Sequence, residues 1–408
     1  MLLPDSCRKQ TFILRKFLFI IVLLPLLGAA GWWYFREQAL PDYGPAYREY
    51  AYVSNGRSNT VSVIDLRTFE LAKTIAVGIS PTGITANLKK NEIYVVNSGS
   101  NNVSVIDAEK NAVVATIGVH GRPYFIDVAE DGRRAYVANS GSANVSVIDL
   151  EKRSLLGNVR VGSGPGLARV SPDGGTVVVS NRGDNTVSLI DTARLQVRAT
   201  LPVCQQPEDI AILPDSSKAF VACSGSSQVA SIALAGNSNG GLASDRVLAL
   251  LDVGRTPVSL ALKPDGGEMM VCDFDSDSIS IIETANNEVG SSVLIGQHPA
   301  RGVVTLDNSR LYVSNFGSDS VAVYDIEMGR RIATMPVGSH PDGLALSQDQ
   351  RYLLVLDTQA GDVTVIQKRT ARKLEPTEYS LLTMIPVGLQ PNGIAVKAFM
   401  VSKPITGK

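Results

Sequence analysis

The sequence predicts an all-β fold, an eight-bladed β-propeller of four-stranded antiparallel blades, preceded by a single N-terminal transmembrane helix. Three observations carry that reading. One motif recurs eight times along the chain. The array opens on an incomplete unit and ends on the strand which that unit lacks. A run of 19 residues without a charge, Phe17 to Phe35, stands ahead of the first copy.

The N-terminal element comes first in the chain. As a helix the run would rise about 28 Å, close to the hydrocarbon thickness of a bilayer. Residues 1–16 carry Arg8, Lys9, Arg15 and Lys16 against Asp5, so the positive-inside rule keeps them in the cytoplasm and sends the rest outward. Trp32, Trp33 and Tyr34 then fall at the outer interface, where amphipathic rings prefer to sit. The competing reading is a signal peptide cleaved near Gly28-Ala29-Ala30, which would release a secreted chain. Both place the body outside the cytoplasm, on the periplasmic or outer side. Residues 17–35 are read as the anchor and 36–50 as a linker.

The body follows. Tyr52 to Asp65 (YVSNGRSNTVSVID), Tyr94 to Asp107, Tyr136 to Asp149 and Val178 to Asp191 are near copies, and four further copies start at Phe220, Met270, Tyr312 and Leu354. The spacing is 42 residues six times and 50 once, the longer interval holding the Gly/Ser/Asn-rich stretch Ala235 to Ser244. Each copy reads as a hairpin whose VSVID arm alternates with the period of a half-buried strand. A third run follows the hairpin, and a fourth follows a loop ending in Pro81, Pro123, Pro165, Pro207, Pro257, Pro299, Pro341 or Pro391. Four short strands per ~40 residues describe a propeller blade. The hairpin at Tyr52 lacks an inner strand, and the strand after Pro391 lacks a hairpin; pairing them closes a ring of eight within 51–398 and leaves 399–408 as a tail.

The YVxN and VSVID runs, with VGxxPxGIA and SPDG elements, resemble the YVTN family of β-propeller repeats. The match spans 51–398, although Cys223, Asp273 and Asp357 replace the motif Asn in copies five, six and eight. The resemblance implies an extracytoplasmic propeller of seven or more blades, in a family where many members have no assigned activity. It reaches more distantly to the propellers of cytochrome cd1-type nitrite reductases and nitrous oxide reductases.

In a propeller the inner strands line a central channel, and the turns and Pro-containing loops crowd one face. Alternation counted along those strands puts Ile84, Ile126, Ile210, Leu260, Leu344 and Ile394 in the core. The intervening positions face the channel, mostly small or apolar except Asp127, Arg169, Asp209 and Arg301. Asp127, Arg169 and Asp209 lie on consecutive blades and can form one charge-assisted cluster, with Arg301 placed to meet an anion. Two readings stand: a channel site for a small anionic ligand, or charges that neutralise one another in a wet pore. His120, His298 and His340 all fall in loops leading into inner strands, either as ligands for a metal or axial haem position or as polar loop residues. Arg122, Tyr124, Gln206, Glu208, Asp342, Gln390 and Asn392 form a polar rim.

Cys7 belongs to the cytoplasmic segment; Cys204 and Cys223 fall toward the same face of one blade, where an oxidising compartment allows a disulfide, and Cys272 is left over. Asp273, Asp275 and Asp277 mimic the start of a calcium loop without its Gly and final Glu. CxxC, HExxH and P-loop motifs are missing from the sequence, so it names no catalytic residue, requires no metal and requires no cofactor. With 38 Lys+Arg against 39 Asp+Glu and net charge -1, nothing draws it to nucleic acid. The expected function is a binding or scaffold module of the cell envelope, held to the membrane by its helix and meeting a protein or small molecule on the loop face. The alternative is a redox or hydrolytic domain, with a non-covalent haem-like cofactor or lactonase-like chemistry at the channel mouth.

Overall fold

The computed structural model describes residues 43–235, 244–369 and 378–401. The expected membrane helix and cytoplasmic segment, residues 36–42 of the linker, the centre of the Ala235 to Ser244 insertion and most of the tail lie outside them. Among the described residues no helix is long and apolar enough to cross a membrane.

The described strands make eight four-stranded antiparallel sheets. Blades 1 to 7 span 81–118, 123–160, 165–202, 207–252, 257–294, 299–336 and 341–386. Blade 8 joins the two ends of the array: Pro391–Met400 is its inner strand, hydrogen-bonded to Tyr47–Asn55, followed by Thr60–Asp65 and Glu70–Ala76. The first strand thus begins at Tyr47, inside the segment expected to be linker. The propeller is the unit Arg48–Phe399; of the second unit the structure describes 43–47, 400 and 401, where Tyr43 stacks on Tyr47 with centroids 4.1 Å apart.

The core lies between neighbouring sheets. Val96, Val103 and Val105 of blade 1 pack against Ile126, Val137 and Ile148 of blade 2, and the closing interface sets Val53 and Ile64 against Leu356 and Val363. Each middle strand is therefore covered on both faces. Val103, Ser104, Val105 and Ile106 are all buried, which corrects the expectation of a half-buried strand: the alternation in VSVID is one of polarity, and its Ser has a partner inside.

That partner is the motif Asn. Asn97 Nδ2 donates to Asn102 Oδ1 at 2.8 Å and to Ser104 Oγ at 2.9 Å; Asn139 reaches Asn144 and Ser146, and Asn181 reaches Thr186 and Ser188, in the same way. A buried amide meets two acceptors, each bond contributing about 1 kcal/mol and sparing a larger desolvation loss. The other side of this Asn faces a glycine of the loop before the inner strand. A Cβ on Gly78, Gly162, Gly296 or Gly388 would come within 2.3–2.7 Å of the facing Asn side chain. The turns then clamp the following blade: Asn101 Oδ1 accepts the Arg122 N–H, and Asp319 Oδ1 the His340 N–H, each at 2.8 Å.

Candidate functional site

In blades 1 to 7 the pairing of the inner strand with its neighbour slips between the leading Pro and the third or fourth residue. A bulge of this kind re-aims the side chains beside it. The residues directly after the Pro, among them Thr82, Tyr124, Glu208, Asp342 and Asn392, consequently line the channel mouth, around a cavity of about 470 Å3. Ile84, Leu344 and Ile394, expected in the core, also reach its wall. Leu167 and Asp209, expected in the channel, line it with little exposed surface, Ser259 is buried outside its wall, and a Cβ on Gly83 would sit 3.0 Å from the Tyr124 carbonyl of the next blade. Alternation still finds much of the wall, since Phe125, Leu167, Arg169, Asp209 and Arg301 line it as expected; what it misses are the residues directly after the Pro, because a bulge adds a residue without marking the sequence.

The four channel charges separate into two pairs. Arg169 Nη1 lies 3.8 Å from Asp127 Oδ1, with its guanidinium 4.5 Å above the Phe125 ring. Asp127 Oδ2 also accepts the Val170 N–H of blade 3, at 3.0 Å. Burial pushes the Asp127 pKa up against the pull of Arg169. Asp209 accepts the Ile210 N–H and, from blade 5, the Leu260 N–H at 3.0 Å. Both aspartates therefore stitch one inner strand to the next. The expected cluster of Asp127, Arg169 and Asp209 does not form; Asp209 instead faces Arg301 of blade 6, Nη1 at 4.0 Å. Arg301 Nε donates to Asp342 Oδ1 at 3.3 Å. Burial works against the Arg301 charge, but Asp342, Asp209 and Tyr124 outweigh it and raise its pKa. Held by two carboxylates, this guanidinium is not waiting for an anion.

A third pair was not foreseen. Arg182, in the hairpin turn of blade 3, bonds Glu208 of blade 4 and lies 4.9 Å over the Tyr124 ring of blade 2. Burial raises the Glu208 pKa, Arg182 opposing. Ser180 Oγ donates to the Glu208 carbonyl at 3.1 Å and Ser314 Oγ to the Asp342 carbonyl at 2.8 Å, so the residue before the motif Asn positions both rim acids. Arg182 follows the motif Asn where other copies carry Gly56, Ser98, Ser140, Ser224 or Thr358. That departure from the repeat was the available signal, and Phe274 and Phe316 share it.

The histidines do not line the cavity. His120 Nδ1 is 2.8 Å from Asn144 Nδ2, His298 stacks on Phe274, and His340 meets Ser339 and the Phe316 ring. Arg122 is exposed on the rim. Among the described residues no three His, Cys, Asp or Glu side chains gather as a metal site. The calcium-like run is dispersed: Asp273 takes the Ser280 hydroxyl, Asp275 the Thr256 hydroxyl and Asp277 the His298 N–H. Cys204 and Cys223 form a disulfide with Cα atoms 5.6 Å apart, and Cys272 is a buried free thiol whose pKa burial raises.

A family model for YNCE-like β-propellers matches residues 24–170 and 166–377. Among solved structures, the dihydro-heme d1 dehydrogenase NirN in complex with DHE superposes with a TM-score of 0.68 at 16% identity, over 86% of this chain and 75% of that one. Kuenenia stuttgartiensis hydrazine synthase gives 0.54 at 22%, over 67% and 91%. A functionally unknown protein from Desulfotomaculum acetoxidans DSM 771 gives 0.59 at 16%, over 75% and 99%. No curated protein matches. Likeness at these identities establishes the fold, while activity has to be argued from the site.

Proposed function

The chain belongs to the YNCE-like β-propeller family, and from that premise we propose that it is an exported, membrane-anchored binding module whose recognition site is the channel mouth. One observation carries the reading. Two ion pairs, Arg182 with Glu208 and Arg301 with Asp342, border a single open cavity of about 470 Å3. All four side chains are partly exposed, so each pair offers donors and acceptors to a visitor without burying an uncompensated charge. A ligand carrying both signs of charge fits this rim: a zwitterionic small molecule, or a polar protein segment with neighbouring acid and base. The run Phe17 to Phe35 with its basic flank supports anchoring, and the Cys204–Cys223 disulfide supports an oxidising compartment.

The redox reading takes second place. NirN is a dihydro-heme d1 dehydrogenase; the cavity wall here contains no His, Cys or Met, and its one side chain of a type that takes an axial position, Tyr124, has its ring under the Arg182 guanidinium at 4.9 Å. The residues present suit a haem-like group less well than a doubly charged ligand.

The test uses the full chain in detergent, titrated calorimetrically with free amino acids and dipeptides against acetate and methylammonium as single-charge controls. Zwitterions should bind in preference to the controls, and Arg182→Ser and Arg301→Ala should each weaken them about tenfold or more, the loss of a charge-assisted bond. Equal affinity for the controls, or variants that bind as before, would sink the site. Recovery of a shortened, soluble chain from cell fractions would sink the anchor.

A further inference from the structure

We infer that the mouth face carries a second recognition surface, a row of four interleaved rings that receives a basic, extended peptide segment. Phe274 and Phe316 lie in the hairpin turns of blades 5 and 6, which wind into the short 3-10 helices Phe274–Ser276 and Phe316–Ser318. His298 and His340 hold the left-handed position before the next inner strand, with φ of 49° and 54°. The rings join three blades. Phe274 lies flat on His298 with centroids 4.6 Å apart, Phe274 meets Phe316 at 6.1 Å, and Phe316 meets His340 edge-on at 4.4 Å.

The row is set in advance by the backbone. The His298 and His340 N–H groups donate to Asp277 and Asp319 of the preceding blade, and the His298 carbonyl accepts the Phe316 N–H at 2.9 Å. A Cβ on residue 317 would fall 2.6 Å from His298 Nδ1, so Gly317 is what lets the imidazole lie across the turn. A partner therefore meets rings that need little further ordering. His298 is exposed and the other three rings are half-buried.

Charge chooses the partner. Asp275 and Asp319 are exposed along the row and Asp277 is half-buried, against two arginines whose guanidinium groups are engaged on backbone: Arg255 on the Asp275 carbonyl at 2.6 Å, and Arg331, which lines one hollow with Asp319, on the Ile295 carbonyl at 3.0 Å. Aromatic faces attract guanidinium and ammonium groups, and carboxylates beside them add to the pull and repel acidic chains. An apolar partner would have to desolvate those carboxylates without replacing their water. An extended segment suits a row that follows the rim across three blades.

The full chain in detergent is titrated with fluorescein-labelled hexa-arginine, hexaglutamate and hexaserine while anisotropy is followed. Hexa-arginine should bind and the other two should not. Phe274→Ala and Phe316→Ala should each weaken hexa-arginine roughly five- to tenfold. Phe316→Leu, which keeps apolar volume and loses the ring face, should weaken it as much while preserving the melting temperature. Asp319→Asn keeps an acceptor for the His340 N–H and removes the charge, so its loss should be larger at low salt. Unchanged hexa-arginine affinity in Phe316→Leu, equal binding of hexaglutamate, or a dimer that dissociates on Phe274→Ala would each overturn the assignment, the last because a second copy would then cover the row.

Discussion

The motif Asn shows what a single residue does here, because two blades replace it with an acid. An Asp brings no N–H, so the bonds reverse: Ser280 Oγ donates to Asp273 Oδ2 at 2.7 Å and Thr364 Oγ1 to Asp357 Oδ2 at 2.6 Å. Asp357 also stands opposite Asp362 in the hairpin register. Burial, and then the hydrogen bond with Asp362, pushes the Asp357 pKa up to about 8; burial pushes Asp273 up to about 6. Both folded values exceed the ~3.9 of an unfolded Asp. The native state then holds more protons between about pH 4 and pH 8, and stability must fall as pH rises through that window. Asp357→Asn restores the amide of the other blades, with Asp362 and Thr364 as its acceptors. We expect it to match the wild type near pH 4 and to be more stable by about 1–3 kcal/mol near pH 9. Urea denaturation of both proteins at the two pH values measures this; an Asn variant with the same pH slope as the wild type would refute the assignment.

At the scale of the element, the joint between glycine and motif Asn explains the disulfide. Six loops place a glycine against Asn or Asp, blade 2 places His120, and blade 4 places Cys204 opposite Cys223. In blade 2 the larger His120 side chain is accommodated by turning its ring onto Asn144, whereas in blade 4 both positions carry cysteine and the covalent bond brings the sulfurs inside contact distance. Blade 4 has also lost the Ser that the Asn would use: Ala230 stands where Ser104, Ser146 and Ser188 stand elsewhere. The double variant Cys204→Gly with Cys223→Asn should therefore lose about 3 kcal/mol with the cross-link and about 1–3 kcal/mol more through an unmet buried donor, and Ala230→Ser added to it should recover most of the second loss. Chemical denaturation of the double and triple variants decides; equal midpoints would refute the joint. The strands and blade boundaries were legible in the sequence because the period and the prolines mark them directly. The mouth was legible in part. Arg301 stood out as a charge among small residues and Asp342 and Glu208 as members of a polar rim, but Arg182 sat in a turn and became visible as a site residue once the fold set it beside Glu208. The bulge after the Pro leaves no compositional trace, so counting by alternation placed Phe125, Arg169, Asp209 and Arg301 in the channel wall correctly but left out the residues directly after the Pro.

The whole molecule repeats that joint around the ring, and one copy differs in its separation along the chain. Gly388 packs on Asn55, the Leu389 N–H donates to Ser58 Oγ at 2.7 Å, and Ser54 Oγ donates to Asn392 Oδ1 at 2.8 Å. These contacts close blade 8 across a sequence separation of 331, where the equivalent bond from Ile79 to Ser100 spans 21. Loop closure grows as (3/2)RT ln n, so the closing joint costs about 2–3 kcal/mol more than an internal one of the same chemistry. The apolar interface between blades 7 and 8 offsets this once both ends are in place. The closing joint should then be where a cross-link contributes most. Copying the arrangement of blade 4, as Gly388→Cys with Asn55→Cys and Ser62→Ala, links the ends through the same geometry. Because the cross-linked loop would be about 330 residues rather than about 20, chain entropy gives it roughly 2–3 kcal/mol more stabilisation than the native disulfide provides. Comparing oxidised and reduced forms by guanidinium denaturation, with the native pair removed in the glycine–asparagine–serine background, isolates the new link. A gain no larger than that of the Cys204–Cys223 bond would mean that the ends remain associated in the denatured chain, and that closure is not the step on which the ring's stability turns.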